Sequence, residues 1–210
     1  MSVIYLLCAY SKTGKDIFYY KLQNNINPQH SKWILYSKNN SKHFINNNKY
    51  VRVSLADNLK IEAAQIYNIP FNISDDEKDI KQFTHYITKQ IVSARDIYIE
   101  WADIRKKEDI NYWVKKTVDF ILTYHNNDMI VVTDWRFMEE LLYFQKYFEN
   151  IFTVRLCRPE ITEPPLDIIS EHNLDNYTTD ILLISDILNN AKIVLKRFPQ
   201  YSDYNEKYII

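Results

Sequence analysis

The sequence predicts an α/β fold in three layers, with helices on both faces of a central parallel sheet. Three observations carry that prediction. Val3 to Ala9 is an unbroken apolar run, the mark of a strand buried on both faces. Further strand signals at 50–55, 129–133, 151–157 and 180–184 alternate with helical patterns along the chain. Polar and charged residues gather where those strands end, and such sheets bind ligands at the carboxyl ends of their strands.

At 210 residues the chain can bury one sizeable core and carry a small subdomain. Its net charge is −1, which argues against a broad surface for nucleic acid or anionic membrane. Any anion site must then be a local concentration of Lys and Arg. Cys8 and Cys157 lie in apolar runs and are expected as buried, reduced thiols. No leader-like opening and no apolar run near membrane-spanning length is present. A soluble protein of the cytoplasm is therefore expected, with neither membrane nor nucleic acid as a partner.

The first strand leads into Ser11-Lys12-Thr13-Gly14-Lys15-Asp16-Ile17 and a helix expected over 15–24. A strand, a polar loop, Gly-Lys and a helix start form the layout of a phosphate-binding loop. The pattern GxxxxGK[ST] has Ala9 in place of its first glycine and Asp16 in place of its hydroxyl. Average usage would give roughly 15 glycines in a chain this long. There is one, Gly14, directly before the lysine. Such a position suits a positive φ or the close approach of backbone to a ligand.

Residues 25–49 are rich in Asn, Ser and Lys and read as an irregular connection, with one short element at Trp33–Tyr36. Tyr50 to Leu55 alternates as a strand, and Asp57 is expected to cap a helix over 58–67. Apolar residues at spacings of three and four predict long helices over 78–104 and 109–125. Beyond the strand at 129–133, a helix is expected over 136–149. The segment 159–178, with Pro159, Pro164 and Pro165, reads as a loop or lid. A last helix is expected over 186–198, and the polar, tyrosine-rich tail from Pro199 is expected on the surface.

The strand ends bring Ser11–Asp16, Asp57 and Lys60, Asp134 and Arg136, and Arg158 towards one rim. Lys15 is the candidate for the outer phosphates of ATP, and Thr13 to Asp16 offer main-chain N–H groups. Asp16 and Asp134 are candidate Mg²⁺ ligands; a helix cap explains Asp16 equally well and is also a reasonable reading of Asp134. Arg136 precedes a helix, where a cation opposes the helix dipole, so phosphate contact explains it better than stability does. Arg155 and Arg158 bracket the end of a strand and could stabilise charge on a transferring phosphoryl group, and one of the two is equally explained as an ordinary surface residue. Arg95, Glu100, Trp101 and Arg105 are candidate acceptor contacts, although Arg95 and Arg105 cannot face one point on a straight helix. Trp101 or Trp113 could stack on a base; core packing is the alternative for both.

The ordered set YSKTGKDI, Leu55-Ala56-Asp57-Asn58-Leu59-Lys60, Glu108 to Val114, Asp134-Trp135-Arg136-Phe137-Met138-Glu139-Glu140, Arg155 to Pro159 and Ser170 to Asp175 resembles one family. It is similar to the deoxynucleoside monophosphate kinases of the phage and viral type, within the phosphate-loop kinase superfamily. The family's corresponding stretches read RxSGKDT, FADPLK, DPDxWV, DVRFPNE, RxxRP and SExxLD. The likeness spans about 3–185 and keeps its order. It departs at Ala9, at Trp101-Ala102-Asp103 where the family carries GTE, and at 25–49.

The resemblance implies one kinase domain over 1–210, with a helical acceptor-binding region at 68–125 and a lid at 158–178. It implies ATP with Mg²⁺ as cofactors and transfer of the γ-phosphoryl group to a deoxynucleoside 5′-monophosphate. The setting would be the cytoplasm, or the host's cytoplasm for a viral protein. Lys15, Arg136, Arg155 and Arg158 would be catalytic, Ser11 to Ile17 would hold ATP, and Asp16 and Asp134 the metal. Asp57, Lys60, Arg95, Glu100, Trp101, Arg105, Trp113 and Arg136 would meet the acceptor. The rival readings are a kinase like the animal-type phosphomevalonate kinase and a nucleotide-binding protein without catalysis. The aromatic helix stripes would suit a homodimer as well as a core.

Overall fold

A computed structural model describes residues 2–11, 13–15, 18, 19, 33–37, 50–74, 77–125, 128–161, 163, 164, 169–185 and 191–209. Its strands are β1 (Val3–Cys8), β2 (Trp33–Ser37), β3 (Tyr50–Val53), β4 (Gln82–Thr84), β5 (Ile91–Ser93), β6 (Met129–Val132), β7 (Asn150–Cys157), β8 (Ile181–Ser185) and β9 (Asn205–Ile209). Its helices are α1 (Leu55–Tyr67), α2 (Ala94–Glu108), α3 (Tyr112–Tyr124), α4 (Met138–Phe144), α5 (Ile169–His172) and α6 (Ala191–Arg197). The chain divides into two compact units, residues 1–53 with 121–210, and residues 54–120.

The first unit is built on a sheet ordered β3-β6-β1-β7-β8-β2-β9. The first five strands are parallel, and β1 lies in their middle, with Val3 opposite Met129 on one side and Asn150 on the other. Among the parallel strands, β3 and β6 lie on one side of β1, and the later β7 and β8 lie on the other. The direction of travel therefore changes at β1, and a crevice for a ligand opens at the carboxyl end of such a strand.

Alternation along β8 sends Leu183 to one face and Leu182 and Ile184 to the other. Phe18 covers the first face with Tyr5, Leu7, Val131 and Leu156. Val194 of α6, Phe198 and Tyr201 cover the second. This is the three-layer α/β arrangement that the apolar runs predict. Cys8 and Cys157 are free and buried, and burial pushes the Cys157 thiol up to about 12. No helix among the described residues is long and apolar enough to cross a membrane.

The second unit packs α1, α2 and the start of α3 around Ala63, Tyr67, Ile97, Tyr98, Trp101 and Trp113. Here the helix expected over 78–104 is corrected. Its first part is a hairpin, with Gln82 opposite Ser93 and Thr84 opposite Ile91. His85 and Lys89 close its turn, and Lys89 takes a positive φ of 59°. Ile80, Ile87 and Ile91 of the supposed stripe are exposed. The helix begins only after Ser93, whose side chain caps Asp96 N–H while the Asp96 carboxylate accepts Ser93 N–H.

Two further expectations change, and the short element expected at 33–36 is borne out as a strand. Ser54, not Asp57, precedes α1, and Asp57 sits in its first turn. The apolar patch at 33–36 is strand β2, antiparallel to both β8 and β9. The tail from Pro199 is no surface appendage. Tyr201 and Tyr204 are buried, the Tyr201 hydroxyl engages Thr179 and the Tyr204 hydroxyl donates to the Thr179 carbonyl, and β9 pairs with β2. Polar composition misleads here because tyrosine carries a large apolar ring behind a hydroxyl that found buried partners. The expected helix over 15–24 is described only at its start, where Phe18 N–H donates to the Gly14 carbonyl. The remainder of that helix and most of 25–49 lie outside the described residues.

Candidate functional site

The site lies in the sheet unit, where β1 ends. Gly14 takes a φ of 90°, a conformation that a Cβ would oppose, so the chain's single glycine stands where the backbone needs it. Thr13 is buried and its N–H turns back to the Tyr10 carbonyl at 3.3 Å. Lys15 folds over this turn and its Nζ donates to the carbonyls of Ala9 (3.1 Å) and Tyr10 (3.5 Å). Burial, and then the Arg136 charge, push the Lys15 ammonium below the usual lysine range, while Glu171 and Asp134 oppose them. Arg136, Glu171 and Asp134 thus all act on the Lys15 ammonium, near the carboxyl ends of β1 and β6.

Arg136 is held from behind. Trp135 is buried with its indole N–H on the Phe137 carbonyl at 2.8 Å. Glu140, at the start of α4, accepts the N–H groups of Arg136 (3.0 Å) and Phe137 (3.1 Å). These contacts fix the backbone that carries the guanidinium. Its Nη1 donates to Glu171 Oε1 and reaches Ser170 Oγ at 3.4 Å, and the side chain stays 36% exposed. Glu171 Oε2 accepts Ser11 N–H at 2.6 Å, so one carboxylate joins the loop after β1 to the arginine after β6.

Beside this group stands a second, structural cluster. Arg155 is buried; its guanidinium donates to the carbonyls of Leu174 and Tyr177 and to the Tyr201 hydroxyl, and lies 4.8 Å from the Phe198 ring centre. Asp175 accepts Tyr10 O–H at 2.9 Å and meets His172 Nδ1 at 2.7 Å. His172 Nε2 donates to the Pro164 carbonyl at 3.0 Å. This network ties the proline-containing segment and the C-terminal aromatics to the end of β1. Arg158 is partly exposed, 3.6 Å from Glu160.

Lys12, Asp16 and Ile17, expected in the loop, lie outside the described residues, and the metal role given to Asp16 lies there too. Among the described residues no group of three or more His, Cys, Asp or Glu is arranged to hold a metal. Mg²⁺ commonly takes one or two carboxylates and completes its shell with water and substrate phosphates, and Asp134 suits that smaller demand.

Apart from Arg136, the candidate acceptor residues belong to the helical unit. Asp57 and Lys60 occupy the first two turns of α1. Arg95 ion-pairs with Asp79, its Nη2 donating at 2.8 Å. His85 accepts Thr88 N–H at Nδ1, so its Nε2 donates to Glu100 at 2.9 Å. Trp113 is buried with its ring against Tyr112 and is core. Arg105 lies 4.5 Å from the Trp101 ring centre and 5.0 Å from that of Tyr112.

Sequence reasoning missed Glu62, which organises this unit. It accepts Trp101 N–H (3.2 Å), Tyr112 O–H (3.0 Å) and the Lys116 ammonium. Burial alone would raise its carboxyl; those hydrogen bonds outweigh it and hold the group below the usual range. The available signal was an acid between Leu59 and Ala63 on the packed side of α1. No model of a known protein family matches the chain, and comparison with curated proteins gives no match either.

Proposed function

We propose that the chain is a phosphotransferase that moves the γ-phosphoryl group of ATP onto a deoxynucleoside 5′-monophosphate, working on the cytoplasmic nucleotide pool. The observation that carries this reading is the meeting of Lys15, Asp134 and Arg136 at the crevice end of β1, beside a glycine at positive φ. A phosphate-loop kinase needs those groups there: an ammonium on the outer phosphates, a carboxylate for the metal and a guanidinium on the acceptor or the transferring group.

In this reading Lys15 exchanges its main-chain carbonyls for phosphate oxygens. Arg136, its backbone fixed by Glu140, presents the open edge of its fork to the acceptor phosphate. Asp134 would hold Mg²⁺, which neutralises charge between the phosphates. The bond from the γ-phosphorus to the bridging oxygen breaks as an acceptor phosphate oxygen bonds to that phosphorus; ADP and a diphosphate leave. Arg158, directly after β7, would stabilise the developing charge. Arg155 is assigned to structure, because its donors already serve buried oxygens.

The test is to incubate the protein with ATP, Mg²⁺ and a panel of nucleoside and deoxynucleoside monophosphates, with phosphomevalonate included, and to measure ADP. ADP release on deoxynucleotides is expected, with Lys15→Ala reducing turnover by on the order of a hundredfold or more while melting near the parent. Bound ATP with no ADP on any acceptor would mark a binding protein. A fully active Lys15→Ala would overturn the assignment.

A further inference from the structure

Glu171 puts a carboxylate where the loop after β1 presents its donors. One oxygen takes the Ser11 main-chain N–H at 2.6 Å, the other takes the Arg136 guanidinium, and its charge acts on the Lys15 ammonium. The side chain is only 6% exposed, so the anion sits inside the site and Arg136 sits at its rim. An amide and a guanidinium on one negative group, with an ammonium that feels its charge, are the three donor types that bind a phosphoryl oxygen. A donor already committed to a carboxylate is closed to phosphate, and two anions cannot share such a space without strong repulsion.

We propose that Glu171 is an internal competitor, a carboxylate that fills the anion position of the resting protein and is displaced when a phosphate group binds. The proposal rests on the phosphate-binding reading above and adds its regulation. The charges agree with it. Lys15 and Arg136 are balanced at rest by Asp134 and Glu171. Swinging Glu171 out leaves an unbalanced cation for the incoming phosphate, and the freed Ser11 N–H and Arg136 Nη1 receive its oxygens. A merely supporting role, holding Arg136 for its work, predicts the opposite sign: without Glu171 the arginine would wander and phosphate would bind less well.

Titration calorimetry decides between the signs. Inorganic phosphate, and separately ATP without an acceptor, are titrated into the full chain and into Glu171→Gln, at one pH and ionic strength. Glu171→Gln should bind both about tenfold more tightly, the size of one charge-assisted contact no longer given up. Glu171→Asp, too short to span Ser11 and Arg136, should shift the same way and serves if the Gln variant does not fold. Equal or weaker binding by the variants, with the parent binding ATP, overturns the competitor and leaves the nucleotide reading standing. No binding by parent or variants overturns both.

Discussion

Lys15 and Arg155 show how differently two cations can be used a few residues from the same crevice. Lys15 gives its ammonium to two carbonyls and loses little if it lets them go. Arg155 is closed in: carbonyls, a hydroxyl and the Phe198 ring consume its fork, and Asp175 lies 3.7 Å from Nη1. Removing a buried cation from such a network strands its acceptors. Arg155→Met should therefore lower stability by about 3 kcal/mol, read as a drop in urea midpoint with unchanged slope. On the proposed kinase reading, the folded fraction should keep the parent's turnover on saturating substrate. A variant as stable as the parent but inactive would return Arg155 to the catalytic set.

At the level of elements, the sequence was most legible where patterns were long and unmixed. The apolar runs at 3–9, 129–133, 151–157 and 180–184 became β1, β6, β7 and β8, because a strand buried on both faces leaves no room for another reading. The crevice residues Gly14, Lys15, Asp134 and Arg136 were legible for the same reason: strand ends fixed where they would lie. The hairpin of β4 and β5 was not, because Ile80, Phe83, Ile87 and Ile91 happen to repeat at helical spacing. The start of α2 was written nearby all the same, in Ser93-Ala94-Arg95-Asp96. Glu171 could be seen as part of a motif, but its partners Ser11 and Arg136 are distant in sequence and no local rule joins them. The capping box supplies this scale's prediction. Ser93→Ala should cost about 1 kcal/mol, measured by urea unfolding, and should speed amide exchange in the first turn of α2. No change in either would mean that the Lys81 and Lys78 carbonyls, which accept the Ala94 and Arg95 N–H groups, hold the helix start unaided.

For the whole molecule the many tyrosines set the response to alkali. Among the described residues nine of them, Tyr5, Tyr10, Tyr19, Tyr50, Tyr67, Tyr98, Tyr177, Tyr201 and Tyr204, are raised from the ordinary 10.0, burial being the largest cause in each. Tyr67 and Tyr204 are pushed up to about 12. Above pH 10 the unfolded chain has released phenolic protons that the native protein still holds, so stability falls as pH rises. Lys15 works the other way. Its lowered native value means that just below 10.5 the unfolded chain holds the extra proton, and stability rises with pH there. Among the described residues the raised phenols, joined by the raised Cys8 and Cys157 thiols and the Lys116 ammonium, outweigh the lowered Lys15 and decide the sign. Phenolate absorbance and loss of far-ultraviolet circular dichroism should rise together above about pH 10. Ionisation of all the tyrosines with the circular dichroism intact would contradict the buried hydroxyls.

The position of β1 has a consequence for how the protein is made. Its first residue to pair, Val3, needs Met129 on one side and Asn150 on the other, so β1 leaves the ribosome well before either of its neighbours. β2 waits longer still, since its neighbours are β8 and the C-terminal β9. Contacts this remote along the chain place folding in the slow range of single domains. During translation the apolar segment at 3–9 would stay a client for chaperones until β6 and β7 have emerged.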